Sequence, residues 1–165
     1  MSNRAALLNR AALVLCVILS TGCLTPENEL EQSPRTLQFV RVTKEIPAFG
    51  GVTRENGAWV ISLLDAEQRE AAETKLRDIF NEEASHLSVR VRAPRGSASE
   101  ELKDEATEVL SVEGAGTLDY DETTGYLRVG VIDVEALEPV QAKLDALGIP
   151  LEQVILQVER PIVSL

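Results

Sequence analysis

Residues 56 to 65 and 124 to 133 read alike at a spacing of 68, and this repetition constrains the fold more than any other feature of the chain. With Asn56-Gly57 set against Thr124-Gly125, Ile61 falls on Val129, Leu63 on Val131, Leu64 on Ile132 and Asp65 on Asp133, without a gap. The match runs on through Ala72 over Val140, Leu76 over Leu144 and Ile79 over Leu147. After a slip of one residue, Leu87, Val89 and Val91 stand over Val154, Leu156 and Val158. Polarity recurs rather than identity, which is how two copies of one supersecondary unit read. At 165 residues the chain has room for one compact unit made of two such repeats, and none for a multidomain enzyme.

Each repeat reads strand, turn, strand, helix, strand. Asn56-Gly57 between extended segments predicts a type I′ hairpin, whose two central positions need positive φ, and Asp121 to Gly125 reads as a longer version of that turn. Strands are expected at 58–64 and 126–132. Asp65 is positioned to cap a helix, with Gln68 three residues on as in a capping box, and Ala72, Leu76, Ile79 and Phe80 form its apolar stripe. In the second repeat Pro139 argues against a helix begun at Val134, so the start is expected near Glu138 and the end at Gly148, with Pro150 beyond. The closing strands, 87–93 and 153–159, alternate apolar and polar residues as a sheet with one wet face requires. Between the repeats, 94–99 is rich in turn residues, and Leu102, Ala106, Val109 and Leu110 have helical spacing. The expected fold is α+β: two strand-strand-helix-strand repeats, about 46–93 and about 116–159, joined by a linking helix at about 99–110, in a helix-on-sheet sandwich of ferredoxin-like character. Strand order does not follow from the sequence.

The first 22 residues carry Arg4 and Arg10 and no acid, then an apolar run 11–19, then the small residues Ser20-Thr21-Gly22 before Cys23. This is a secretory signal, too short to span a membrane. Gly22-Cys23 resembles the lipobox of bacterial lipoproteins, although Ser20 stands where that family prefers Leu. The resemblance implies diacylation of the Cys23 thiol and its exposure as a new N-terminus. Leu24, in place of the Asp that retains such proteins at the inner membrane, implies the outer membrane of a Gram-negative envelope. Cys16 leaves with the signal, so the mature chain has one cysteine and no internal disulfide. Residues 23–35, polar and with Pro26 and Pro34, read as a flexible tether, and 36–165 as the folded domain.

Composition narrows the chemistry. Asp and Glu number 27 against 16 Lys and Arg, a net charge of -11, and only 4% of residues are aromatic, so neither the electrostatic footprint nor the stacking platforms for nucleic acid are present. The chain holds a single histidine, His86, beside Ser85 and Ser88, where a solvated loop is the ordinary setting. Triads, Cys-His dyads and zinc sites therefore lack their residues, and no nucleophile elbow, phosphate-binding Gly-rich loop or His-Glu-x-x-His motif occurs. Gly50-Gly51 and Gly114-Ala115-Gly116 precede strands and suit turns. Asp119, Asp121 and Glu122 lack the Gly and closing carboxylate of a calcium loop and read as a hairpin tip. Glu82-Glu83 and Glu100-Glu101 read as wet helix ends. No cofactor or metal is expected. A glycosidase-like use of two carboxylates would need a cleft that few long loops are available to build. Trp59, beside Val60 and Ile61, is a packing residue or a partner contact.

Residues 116–131 (GTLDYDETTGYLRVGV), followed by a helix, Leu147-Gly-Ile-Pro150 and Val154-Ile-Leu-Gln-Val158, resemble the prodomains of secreted α-lytic and streptogrisin-type serine peptidases, and Ile46 to Gly51 resembles stand-alone secreted relatives. In that family the prodomain folds and inhibits its peptidase, with a C-terminal tail in the active-site cleft. No peptidase follows in this sequence. The resemblance implies a partner among secreted or envelope proteins, with Ile162, Val163 and Leu165 as contact residues; Trp59, from its place in a strand, is a separate candidate. Together these features predict a lipid-anchored binding module of the cell envelope that is not an enzyme, or alternatively a trans-acting inhibitor or folding partner of a chymotrypsin-like peptidase.

Overall fold

The computed structural model describes residues 32–161. The fold opens with helix α1, Pro34–Glu45. Ser33 caps it, its Oγ accepting from the Thr36 N–H at 3.1 Å, and Pro34 stands in the first turn, where no N–H is needed. The tether expected to reach Arg35 therefore ends earlier. Gln32 already belongs to the fold, because its Nε2 donates to Ile132 O at 2.7 Å and to Glu159 O at 2.8 Å.

Strands β1 (Phe49–Glu55) and β2 (Ala58–Leu63) form an antiparallel hairpin across Asn56-Gly57. Both turn residues have positive φ, +50° and +80°, as a type I′ turn demands. A 3-10 turn capped by Asp65, which accepts from the Glu67 N–H at 2.9 Å, leads into α2 (Arg69–Phe80). Helix α2 carries the chain over so that β3 (Leu87–Val91) lies parallel to β2. The second repeat follows the same course. Helix α3 (Glu100–Ala106), capped by Ser99, precedes β4 (Ala115–Asp121) and β5 (Tyr126–Val131); α4 (Leu137–Ala146) then returns the chain to β6 (Val154–Val158), parallel to β5. Two three-stranded sheets result, ordered β1-β2-β3 and β4-β5-β6.

The repeat seen in the sequence is a repeat of register. Ile61 pairs with Val89 and Leu63 with Val91, as Val129 pairs with Leu156 and Val131 with Val158. Both hairpins carry an irregularity at the same place, between Phe49 and Gly51 and between Ala115 and Thr117. The repeated unit is longer than the sequence indicated. Ser33 and Ser99 play one role, so α1 and α3 are counterparts, and the helix expected merely to link the repeats instead opens the second.

Several boundaries differ for local reasons. Asp133 caps a 3-10 turn over Val134–Ala136, accepting from the Glu135 N–H at 3.1 Å, and this turn runs into α4 at Leu137. Pro139 is the third residue of α4, still within the first turn, where its missing N–H costs nothing. The helix ends at Ala146, and Gly148 takes φ +72° while Ile149 N–H bonds back to Leu144 O. The expected strands 58–64, 126–132, 87–93 and 153–159 shorten to the spans given above. β6 also lacks the wet face expected of it: Ile155 is buried along with Val154 and Leu156, and β1 packs alongside the strand.

A single core draws on both repeats, with Phe39, Ile61, Leu76, Val129, Leu144 and Leu156 among its members. Full burial of each such side chain contributes about 1.5–3 kcal/mol. β1 and β6 belong to separate sheets, and side chains from other elements satisfy their backbone groups. Gln141 of α4 imitates a strand, its Oε1 accepting from Arg54 N–H at 2.8 Å and its Nε2 donating to Arg54 O at 3.3 Å. Thr43 Oγ1 of α1 accepts from Val158 N–H at 3.1 Å. At the other end of the seam the Arg92 guanidinium donates to Gly50 O at 3.0 Å, Val154 O at 2.7 Å and Leu151 O at 2.9 Å, and lies 4.7 Å from the Tyr126 ring centre.

Candidate functional site

Of the residues singled out in the sequence as partner contacts, Trp59 lies inside. It is 8% exposed, its ring centre 4.7 Å from that of Phe39, and the Arg54 guanidinium covers it at 5.0 Å. Of the two roles expected for it the structure displays packing: position 59 sits in β2, the middle strand of its sheet, where Phe39 of α1 lies against the ring. Cys23, Ile162, Val163 and Leu165 lie outside the described residues. His86 is exposed at the end of a 3-10 turn, and Asp65 and Asp133 serve as caps.

The acidic hairpin tip is internally paired. Asp121 accepts from the Thr123 and Thr124 N–H groups at 3.0 and 3.2 Å, and from Arg128 Nε at 2.9 Å. Burial raises its pKa, but the Arg128 and Thr124 hydrogen bonds outweigh that and bring it down to about 2. Such a carboxylate is a structural anion rather than a proton carrier at neutral pH. Among the described residues no group of three His, Cys, Asp or Glu side chains is arranged to hold a metal.

Two features remain available for recognition. The first is the outer edge of β3. Arg92 N–H donates to Leu63 O, which fixes the parity: Ser88, Arg90 and Arg92 turn their backbone groups to β2, while Leu87, Val89 and Val91 turn theirs outward. Leu87 N–H folds back on Ala84 O, and Val89 O takes a hydrogen bond from Arg69 Nη1 at 3.2 Å. The Val89 and Val91 N–H groups meet no acceptor among the described residues. Beside this edge runs a groove of about 360 Å³ floored by Leu76, Ala84, Leu87 and Val89. The opposite outer strand, β4, is better guarded. It bends at Gly116, carries Asp119 and Asp121, and receives Lys103 from α3 at 3.4 Å from Asp119.

The second feature is a cavity of about 510 Å³ where the two described ends of the chain meet. Gln32 at the entry and Pro161 at the exit both line it, with Val112, Ile132, Ala136 and Pro139 supplying apolar wall. Thr36, fully buried, donates to Asp133 Oδ1 at 3.0 Å and accepts from Val134 N–H at 3.3 Å, locking the first turn of α1 to the start of the second repeat's crossover. Sequence reading missed this junction, although Ser33-Pro34 was a legible helix start.

The fold and these surfaces define a duplicated α+β module with an open sheet edge at β3 and a cavity where its two described ends meet. The chain matches no protein-family model and no curated protein sequence.

Proposed function

We propose that the protein is a lipid-anchored binding module of the cell envelope, without catalytic activity, which takes an extended segment of another secreted or envelope protein along β3. The observation that carries this reading is the outward pair of N–H groups at Val89 and Val91 beside a groove in which Leu76, Leu87 and Val89 meet Glu73, Arg77 and Glu82. A strand added there gains main-chain hydrogen bonds from the edge and side-chain specificity from the groove. The lipobox-like Gly22-Cys23 supports attachment to the outer membrane through the Cys23 sulfur, with three lipid chains enough for stable anchoring. From Cys23 to Gln32 an extended chain reaches about 30 Å, so the module works close to the membrane surface.

Val89→Pro tests the binding reading. It deletes an N–H that faces away from β2, so the sheet retains its ladder while strand addition is blocked. Capture from detergent-solubilised membranes should yield a protein with the parent chain and lose it with the variant, at an unchanged melting temperature. Equal capture by both, or by neither, refutes the role of this edge. The inhibitory role implied by the prodomain resemblance makes a different forecast: inhibition of a chymotrypsin-like peptidase that survives Val89→Pro and disappears when the chain is ended at Arg160. Labelling with a palmitate analogue should mark the parent and leave Cys23→Ser unmarked; an unlabelled parent removes the anchor from the reading.

A further inference from the structure

The cavity where the two described ends meet has a wall of one character and a rim of another. Val112, Ile132, Ala136, Pro139 and Pro161 present apolar surface, whereas Glu113, Asp133 and Glu135 stand around it as acids. Two stretches of the same chain lead away from this cavity. The one before Gln32 contains Glu27, Glu29 and Glu31, which the acidic rim repels. The one after Pro161 begins Ile162-Val163-Ser164-Leu165, apolar and without a charged side chain. Pro161 is itself part of the lining, and at about 3.5 Å of reach per residue one or two further residues are enough to span to the wall. The volume, about 510 Å³, is ample for two aliphatic side chains.

We propose that the cavity is the binding site for the chain's own segment 162–165, with Ile162 and Val163 seated against Val112, Ile132 and Ala136. Gln32 Nε2 holds Glu159 O and Ile132 O together beside the cavity, so the chain is anchored three residues before the segment begins, and a ligand tethered so closely pays little translational cost on docking. The consequence is a latch. A segment held in its own domain is withheld from any outside partner, and such a partner must compete with a neighbour whose effective concentration is in the millimolar range or above. This inference does not rest on strand addition at β3, and either can fail alone.

Hydrogen exchange on the full mature chain in detergent, resolved to residues 112–114, 132–136 and 162–165, provides the test. The Ile162 and Val163 amides should exchange at least about tenfold more slowly than in an unstructured peptide of the same sequence. Ile162→Asp, which alters no described part of the fold, should abolish that protection and raise exchange at 112–114. Val112→Glu, a charge added to a half-buried wall position, should release the segment in the same way from the other side. Exchange of 162–165 at unstructured rates in the parent overturns the proposal, as does protection indifferent to both substitutions. Protection that appears at 24–31 instead assigns the cavity to the preceding stretch, and protection that grows with protein concentration assigns it to a second copy; each also overturns it.

Discussion

Replacing Arg92 with Met keeps a long flexible stem and deletes the cation that joins the two repeats. In the folded chain this guanidinium makes three hydrogen bonds to backbone oxygens, those of Gly50, Leu151 and Val154, and among the described residues no carboxylate is within ion-pair distance of it. Each charge-assisted bond contributes about 1.5–3 kcal/mol. The stacking on Tyr126 at 4.7 Å adds about 0.5–1 kcal/mol. Against that sum stands the cost of taking the charge partly out of water, the same burial that lowers the Arg92 pKa below its ordinary value. The apolar stem of Met also returns part of the packing. The net loss expected is about 3 kcal/mol, a factor of more than a hundred in the folding equilibrium. In urea this moves the unfolding midpoint down by roughly 1.5–2 M at an unchanged slope. Arg92→Lys should recover only part of the loss, since an ammonium cannot hold three carbonyls in a planar fork. A loss under about 1 kcal/mol for Met, or a Lys variant as stable as the parent, would show that the seam is held by core packing alone.

Three further outcomes follow from the geometry. Leu76→Asp and Leu144→Asp, equivalent positions on α2 and α4 and both buried, should each cost several kcal/mol, read as a collapse of the thermal transition; a mild effect at either would break the equivalence of the repeats. Acid titration of stability should register Asp121: its folded pKa of about 2 lies below the unfolded value near 3.8, so its contribution of about 2 kcal/mol is complete above pH 4 and disappears as pH falls toward 2. Asp121→Asn should flatten that part of the profile, and an unchanged acid limb would separate the Asp121–Arg128 pair from stability.

How much of this could be read along the chain depends on the range of the interaction responsible. The Asn56-Gly57 turn, the caps at Asp65 and Asp133 and the apolar stripe of α2 are each set by residues a few positions apart, and the structure returns them; the 68-residue spacing reappears as equivalent registers of Val89 and Leu156, a pairing not legible along the chain. Helix α1 escaped because only Ser33-Pro34 announces it, and the burial that holds it, Phe39 against Trp59 and Thr36 against Asp133, depends on residues far along the chain. The placing of Trp59 was decided in the same way: a strand residue has two faces to choose from, and which one is covered depends on where a distant helix lands. The alternation of β6 promised one wet face, yet Ile155 on that face is buried in the assembled fold. The seam built by Gln141, Thr43 and Arg92, the parity that leaves Val89 and Val91 facing outward, and the cavity where Gln32 meets Pro161 are all juxtapositions across the fold. Local sequence determines the repeated unit, because propensity, capping and periodicity act over a few residues; packing alone decides which edges and cavities the assembled pair leaves open.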